Sequence, residues 1–99
     1  MSKLTQQVRV MNALGFHVRA VSKLIECAAR FQSHIDIISA KKQANAKRIF
    51  DVMSLGCVLH EQITIEVEGP DAQQALKAVT SLIEEGFGEG VIELADGQT

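Results

Sequence analysis

EQITIEVEG, residues 61–69, is the clearest strand signal in the sequence, because its hydrophobic side chains alternate strictly with polar ones. In an extended chain, Ile63, Ile65 and Val67 point to one face, and the polar residues between them point to the other. This two-residue period predicts a half-buried β-strand whose second face meets water. A sheet with one solvent-exposed face is typically antiparallel and carries helices on its other face.

Three further segments complete the predicted sheet. TQQVRVM, residues 5–11, and HIDIIS, residues 34–39, show the same alternation of hydrophobic and polar side chains. The polar stretch AKKQANAK that follows predicts a turn and a short, weak strand near residues 42–46. We therefore expect four strands.

Segments with a longer hydrophobic period predict three helices. Hydrophobic residues recur at three- and four-residue steps over residues 18–31, and again from Pro70 as far as Gly86. RIFDVMSLG, residues 48–56, predicts a shorter helix that Gly56 closes. The resulting order, β-α-β-β-α-β-α, predicts an α+β open-faced β-sandwich with a four-stranded, mostly antiparallel sheet and three helices on one face.

Length, charge and cysteine content exclude several classes of protein. The 99 residues suffice for one compact domain, and a formal charge of −2 gives no global field for a nucleic acid or a membrane surface. No hydrophobic stretch approaches the roughly 18 residues of a membrane span, and the N-terminus lacks the features of a secretory signal. Cys27 and Cys57 are typical of core residues in a reducing compartment, so we expect a cytoplasmic protein.

NALGFHVRA, residues 12–20, lies where a predicted strand gives way to a helix. A helix that begins near Val18 leaves its first amide groups unpaired and adds partial positive charge, and both features suit a phosphate. Gly15 allows a tight turn, His17 falls at the capping position, and Arg19 adds a guanidinium. Because neutral imidazole is a nucleophile, these residues fit a phosphoryl relay through His17.

A plainer interpretation of the histidines stays open at this point. Histidine at a helix start is commonly a capping or surface residue, and Gly-x-His-x-Arg is short enough to occur by chance. His34 and His60 have no evident partner nearby in the sequence and are interpreted as surface residues. Cys57 and His60 lie three positions apart, but two ligands do not make a metal site, so we expect no metal.

RIFDVMSLG carries a second feature, because Ile49, Phe50 and Met53 cluster on one side of the short helix. Either all three side chains belong to the core, or part of the cluster is exposed. An exposed patch beside His17 would be a docking surface for a partner protein.

The two motifs, in this order and at this spacing, resemble those of HPr, the histidine-containing phosphocarrier family of the bacterial phosphoenolpyruvate-dependent sugar phosphotransferase system. The likeness runs from about Gln6 to Glu89 and includes the element order and the EEGFGE ending. It implies a phosphocarrier domain over residues 1–89. We expect the remaining residues, 90–99, to form either a flexible C-terminal tail or an added edge strand.

The resemblance also implies roles for individual residues. His17 matches the histidine that the family phosphorylates on Nδ1, and Arg19 matches the arginine of the active centre. The amides of Val18 and Arg19 match the phosphate-binding donors. Positions at which the family docks its partners fall here on four residues: Ser22, Ile49, Phe50 and Met53.

The implied partners are enzyme I, which supplies the phosphoryl group, and EIIA-type proteins, which accept it. A member of this family is a carrier with a phosphohistidine intermediate rather than a true enzyme. The resemblance implies a monomer that needs no cofactor.

Two positions depart from the family pattern. Ala20 stands where the family usually has proline, which keeps the helix possible and adds an amide donor. Arg48 stands where many relatives have a serine that a regulatory kinase phosphorylates, so we expect that regulatory serine to be missing. Phosphoryl transfer at His17 requires neither the proline nor the serine that Ala20 and Arg48 replace.

Two rival functions stay open. A regulatory, nitrogen-type member of the same family would use the same histidine to report metabolic state rather than to move sugar. A non-catalytic ligand-sensing module of ferredoxin-like type has a similar order of elements and a glycine loop before its first helix, and it would not need His17.

Overall fold

The structure, a computed structural model, describes residues 3–40 and 42–94. Its elements follow the predicted order β-α-β-β-α-β-α and end in the 3-10 turn Gly86–Gly88. The strands are β1 (Leu4–Arg9), β2 (His34–Ser39), β3 (Lys42–Asn45) and β4 (Gln62–Glu68). The helices are α1 (Val18–Ala29), α2 (Ile49–Met53) and α3 (Ala72–Glu84).

β4, the strand with the strictest alternation, lies inside a four-stranded sheet of order β1-β4-β2-β3. Ile65 at its centre is paired with Gln6 of β1 on one side and with Ile37 of β2 on the other. All the described strand pairs are antiparallel, as predicted. In this order, β4 separates β1 from β2, the two strands that α1 connects.

One face of the sheet and the three helices enclose a single hydrophobic core. β4 contributes Ile63, Ile65 and Val67, all buried, whereas Thr64 and Glu66 on its other face remain half-exposed. α1 contributes five buried residues: Ala20, Val21, Leu24, Cys27 and Ala28. The predicted open-faced β-sandwich is therefore confirmed.

The ends of α1 and β1 differ from the sequence prediction. α1 ends at Ala29 rather than at residue 31, because the amides of Arg30 and Phe31 bond back to carbonyls three residues earlier and tighten the last turn. β1 ends at Arg9, although the amide of Val10 still donates to the Glu61 carbonyl at 3.0 Å. Both differences leave the start of α1, where His17 lies, as predicted.

The start of the predicted C-terminal tail is attached to the domain. Residues 90–94 form no strand, but the amide of Ile92 donates to the carbonyl of Met11 at 2.8 Å. Residues 95–99 of the predicted tail lie outside the described residues. Within the part of the chain that the structure describes, no helix has the length and apolar character needed to cross a membrane.

Candidate functional site

The turn that precedes α1 is fixed by its contacts with a distant loop. Gly15 adopts a φ of 62°, and its amide and carbonyl both bond to Asn12: the amide donates to the Asn12 carbonyl at 3.1 Å, and the Asn12 side-chain amide donates to the Gly15 carbonyl at 2.7 Å. The next amide, that of Phe16, donates to the Cys57 carbonyl at 3.0 Å. A Cβ atom at Gly15 would lie only 2.5 Å from that same carbonyl oxygen. Glycine is therefore required here by both conformation and space.

His17 is the N-cap residue of α1, as predicted. Its carbonyl accepts from the Val21 amide at 2.9 Å, so the amides of Val18, Arg19 and Ala20 have no partner within the helix. The first turn carries no acidic side chain that would neutralise the helix dipole. Arg19 is exposed, and its guanidinium has no ion-pair partner among the described residues. This helix end therefore presents unpaired donors and a free cation.

The imidazole of His17 makes no capping bond to the helix. Its Nε2 atom instead lies 2.5 Å from Oε2 of Glu89, with 26% of the His17 side chain and 22% of the Glu89 side chain exposed. An ionised carboxylate can only accept, so Nε2 carries the proton. In the neutral ring, Nδ1 is then the atom with the free lone pair.

Glu89 is held in place by a second hydrogen bond. The side-chain amide of Asn12, which is fully buried, donates to Oε1 of Glu89 at 3.0 Å. Partial burial tends to raise the pKa of the Glu89 carboxyl, but the hydrogen bonds from Asn12 and His17 and the charges of His17 and Lys23 outweigh it, so that the pKa lies below its ordinary value. The carboxylate is therefore ionised at neutral pH, as the contact with Nε2 requires.

The 3-10 turn Gly86–Gly88 brings Glu89 to the histidine. Phe87, in the middle of the turn, is buried and packs edge-on against Phe16, with 5.8 Å between the ring centres. Nζ of Lys23 donates to the Phe87 carbonyl at 2.7 Å and so ties the turn to α1. The role of Glu89 was not predicted from the sequence, where Gly86 marked only the end of the last helix.

The hydrophobic cluster of α2 is divided between core and surface. Ile49 and Met53, four residues apart, lie on one face of the helix and are half-buried against the core. Phe50 is rotated away from that face and is 87% exposed. α2 packs against α1, where Ser22 is half-buried. The structure thus favours the interpretation in which part of the cluster is exposed.

Arg48 is the N-cap residue of α2 and is exposed, without a capping hydrogen bond from its side chain. Asp51, in the first turn of α2, supplies the negative charge that the helix start favours, and its carboxylate accepts from the Asn45 amide at 2.7 Å. The start of α2 therefore presents a cation at Arg48 and no hydroxyl at that position.

The other two histidines also contact polar groups of the chain. Nε2 of His34 lies 2.9 Å from a carboxylate oxygen of Asp36. His60 is half-buried and donates from Nε2 to the carbonyl of Ile92, 32 positions later. His34 is exposed, as expected, and its partner lies two residues away, whereas the partner of His60 lies in a segment that meets it only in the folded chain.

Both cysteines are free and buried, as expected of core residues. Burial raises the pKa of the Cys57 thiol to about 11, outweighing a hydrogen bond from Ser39 that lowers it. Cys57 is therefore a neutral thiol at physiological pH, and its contribution to the site is the backbone carbonyl that receives the Phe16 amide.

Comparison with known proteins gives consistent matches. Residues 4–85 match the family model described as the PTS HPr component phosphorylation site. The phosphocarrier protein HPr of Cupriavidus necator is 38% identical over 87 residues, which cover 88% of this chain and 98% of the relative. The phosphocarrier protein NPr of Shewanella violacea is 36% identical over 89 residues, which cover 90% of this chain and 98% of the relative.

Solved structures match over most of both chains. The crystal structure of an HPr from Bacillus anthracis has a TM-score of 0.81 and 32% identity, and covers 84% of this chain and 99% of that one. The crystal structure of an HPr dimer from Thermoanaerobacter tengcongensis has a TM-score of 0.71 and 35% identity, and covers 90% of this chain and 100% of that one. With the helix-capping histidine and the sandwich fold, these matches show that the chain belongs to the HPr family of phosphocarrier proteins of the phosphotransferase system.

Proposed function

We propose that this chain carries a phosphoryl group on Nδ1 of His17, taking it from phosphorylated enzyme I and passing it to an EIIA-type acceptor. The observation that carries the proposal is the contact between Nε2 of His17 and Glu89 at 2.5 Å. It leaves Nδ1 as the nucleophilic nitrogen of a partly exposed ring at the start of α1.

In the proposed transfer, the Nδ1 lone pair forms a bond to phosphorus while the bond between phosphorus and the donor breaks. The proton on Nε2 stays in its hydrogen bond to Glu89, so the ring that carries the phosphoryl group becomes cationic and the adjacent carboxylate offsets this charge. The amides of Val18 and Arg19 and the Arg19 guanidinium would bind the phosphoryl oxygens. When a nucleophile of the acceptor protein forms a bond to phosphorus, the bond between phosphorus and Nδ1 breaks, and His17 returns to its starting state.

The proposed transfer is tested by incubating the chain with phosphoenolpyruvate and enzyme I and mapping the modified residue. We expect one phosphoryl group per chain, on His17, and its transfer to an EIIA-type protein added afterwards. A label on another residue, or no label with an enzyme I that phosphorylates a known HPr, would contradict the proposal.

We further propose that Ser22, Ile49, Phe50 and Met53 form the surface on which both partners dock. Phe50 is the strongest candidate, because an aromatic side chain that is 87% exposed gains most from burial in an interface. α2 packs on α1, the helix that His17 caps, so a partner on this surface would approach the reactive ring.

Phe50→Ala is expected to raise the KM for phosphorylated enzyme I about ten-fold. The variant removes an apolar side chain that is exposed in the free chain and would be buried by a partner. Its free energy of unfolding should stay within about 0.5 kcal/mol of the parent, as for other exposed positions. Initial rates of phosphoryl transfer at varied enzyme I concentration, with Gln74→Ala on the exposed side of α3 as the control, measure the effect. An unchanged KM would remove Phe50 from the docking surface.

A nitrogen-type regulatory role is the second candidate, supported by the similarity to an NPr at nearly the same identity as to an HPr. The same phosphohistidine would serve both branches, so the acceptor distinguishes them. Transfer from the labelled chain to sugar-specific EIIA proteins, compared with transfer to nitrogen-type EIIA proteins, assigns the branch.

We propose that the carrier acts as a cytoplasmic monomer whose phosphocarrier domain ends near Glu89. The hydrophobic core is enclosed within one copy, which supports the monomer. The HPr dimer of Thermoanaerobacter tengcongensis is the competing example within the family. Sedimentation equilibrium at micromolar concentration, before and after phosphorylation, tests the assembly state.

A further inference from the structure

The chain continues past Glu89, and the segment that follows makes two hydrogen bonds to the domain, both through the backbone of Ile92. The amide of Ile92 donates to the Met11 carbonyl at 2.8 Å, and the carbonyl of Ile92 accepts from Nε2 of His60. Met11 directly precedes Asn12, the residue that donates to Glu89. The segment therefore returns to the loop that already holds the Glu89 carboxylate.

Glu89 lies between two glycines, and its own amide donates to the Gly86 carbonyl at 2.9 Å. Gly88 and Gly90 have φ values of 78° and 113°, in the region that favours glycine, and glycine gives the chain more freedom than any other residue. Before Glu89, the buried Phe87 and its bond from Lys23 fix the chain. After Glu89, the next backbone hydrogen bond is the one at Ile92.

This chain is longer than some of the relatives that it matches. An 87-residue match takes in 98% of the Cupriavidus necator HPr but only 88% of this chain, so the chain has residues beyond the length of that relative. The matched family model ends at residue 85, before Glu89 and the segment that follows it.

We propose that residues 90–94 are a positioning segment for the phosphoryl-accepting histidine, fixed by Met11 and His60 at Ile92, which holds the Glu89 carboxylate against Nε2 of His17. The segment acts through Glu89 and does not touch the reacting nitrogen. With both bonds formed, Glu89 selects the tautomer of His17 whose Nδ1 is unprotonated. The inference rests on the proposed function only in calling that nitrogen the phosphoryl acceptor.

The test separates the two bonds at Ile92 by point variants, which avoid the new terminal charge of a truncation. Ile92→Pro removes the amide that bonds to Met11, and Ile92→Ala keeps this amide and serves as its matched control. His60→Asn removes the bond to the Ile92 carbonyl, and asparagine tolerates the positive φ of 70° at this position. Glu89→Ala defines the result when the carboxylate is lost altogether.

The readout is the ratio of the two neutral tautomers of His17, measured from the ¹⁵N chemical shifts of its ring in the unphosphorylated chain. We expect Glu89→Ala to lower the ratio of the Nε2–H tautomer to the Nδ1–H tautomer roughly ten-fold, because the variant removes a hydrogen bond to a charged group. Ile92→Pro and His60→Asn should each lower the same ratio about three-fold, which is less than the effect of losing the Glu89 carboxylate. Ile92→Ala should leave the ratio unchanged.

An unchanged ratio in both Ile92→Pro and His60→Asn would overturn the proposal, as would an equal change in Ile92→Ala and Ile92→Pro. Amide spectra of each variant confirm that the domain is folded, and His60→Asn provides the answer if Ile92→Pro unfolds. The tautomer is measured without any phosphoryl donor, so its result stands apart from that of the phosphorylation assay. Failure of labelling at His17 would contradict the proposed function and leave the positioning of its ring by residues 90–94 intact.

Discussion

His17→Ala is expected to abolish phosphorylation by enzyme I and phosphoenolpyruvate, lowering the incorporated label at least 100-fold. The variant removes the only nitrogen nucleophile that the described residues place at the start of α1, and the neighbouring Val18 and Arg19 offer donors and a cation but no nucleophile. Because the His17 side chain makes no capping bond to the helix, the fold should survive the change. Radiolabel incorporation and intact-protein mass measure the loss.

His34→Ala is the matched control, since His34 is an exposed histidine bonded to a carboxylate oxygen at 2.9 Å but far in sequence from the turn before α1. It should accept label at the parent rate. Full labelling of the His17 variant, or loss of label in the His34 variant, would contradict the assignment of the acceptor.

Gly15→Ala is expected to destabilise the domain by about 3 kcal/mol, because it combines two separate penalties. An alanine at a φ of 62° costs about 1–2 kcal/mol, and its Cβ would meet the Cys57 carbonyl oxygen at 2.5 Å. Relief of the clash must separate the turn from the Cys57 loop and so break the Phe16 bond to it. The melting temperature should fall by roughly 12–24 °C for a domain of this size.

Gly56→Ala is the control that carries the backbone strain of Gly15→Ala without its clash. Gly56 has nearly the same φ, 61°, but among the described residues, its two chain neighbours apart, no atom lies within 4 Å of the position of its Cβ. We therefore expect a loss of about 1–2 kcal/mol, from conformation alone. Urea unfolding of both variants gives the two free energies, and equal losses would show that contact with the Cys57 carbonyl does not fix the turn.

The sheet and helices could be predicted because their signals are local. The alternation in β4 and the three- and four-residue steps of α1 and α3 lie within single elements, and each identifies the side that faces the core. The same holds for His17 and Arg19, since a turn followed by a helix start is enough to locate unpaired amides and a cation. For these residues, sequence neighbours are also neighbours in the site.

The partner of the histidine could not be predicted in this way. Glu89 is 72 positions from His17, and its approach depends on the burial of Phe87 beside Phe16 and on the bond from Lys23 to the turn. The pairing of His60 with Ile92 has the same origin, in contacts between loops that only the sheet and α3 bring to one end of the molecule. No period in the sequence records such contacts.

The exposure of Phe50 was undecided for a different reason. A helix of five residues has fewer than two turns, so a hydrophobic cluster on it defines no complete stripe. The structure places Ile49 and Met53 on the core side by their four-residue separation and leaves Phe50 beside that face. Only the packing of α2 against α1 decides which of the three is exposed.

We propose that His17 carries the phosphoryl group on Nδ1 because Glu89 occupies Nε2. Nuclear magnetic resonance of the phosphorylated chain, labelled with ¹⁵N in histidine, measures this most directly through the coupling between phosphorus and nitrogen. We predict coupling to Nδ1 of His17 and a proton retained on Nε2. Phosphorus coupled to Nε2 of His17, or to a nitrogen of His34 or His60, would contradict the proposed role of Glu89 and His17.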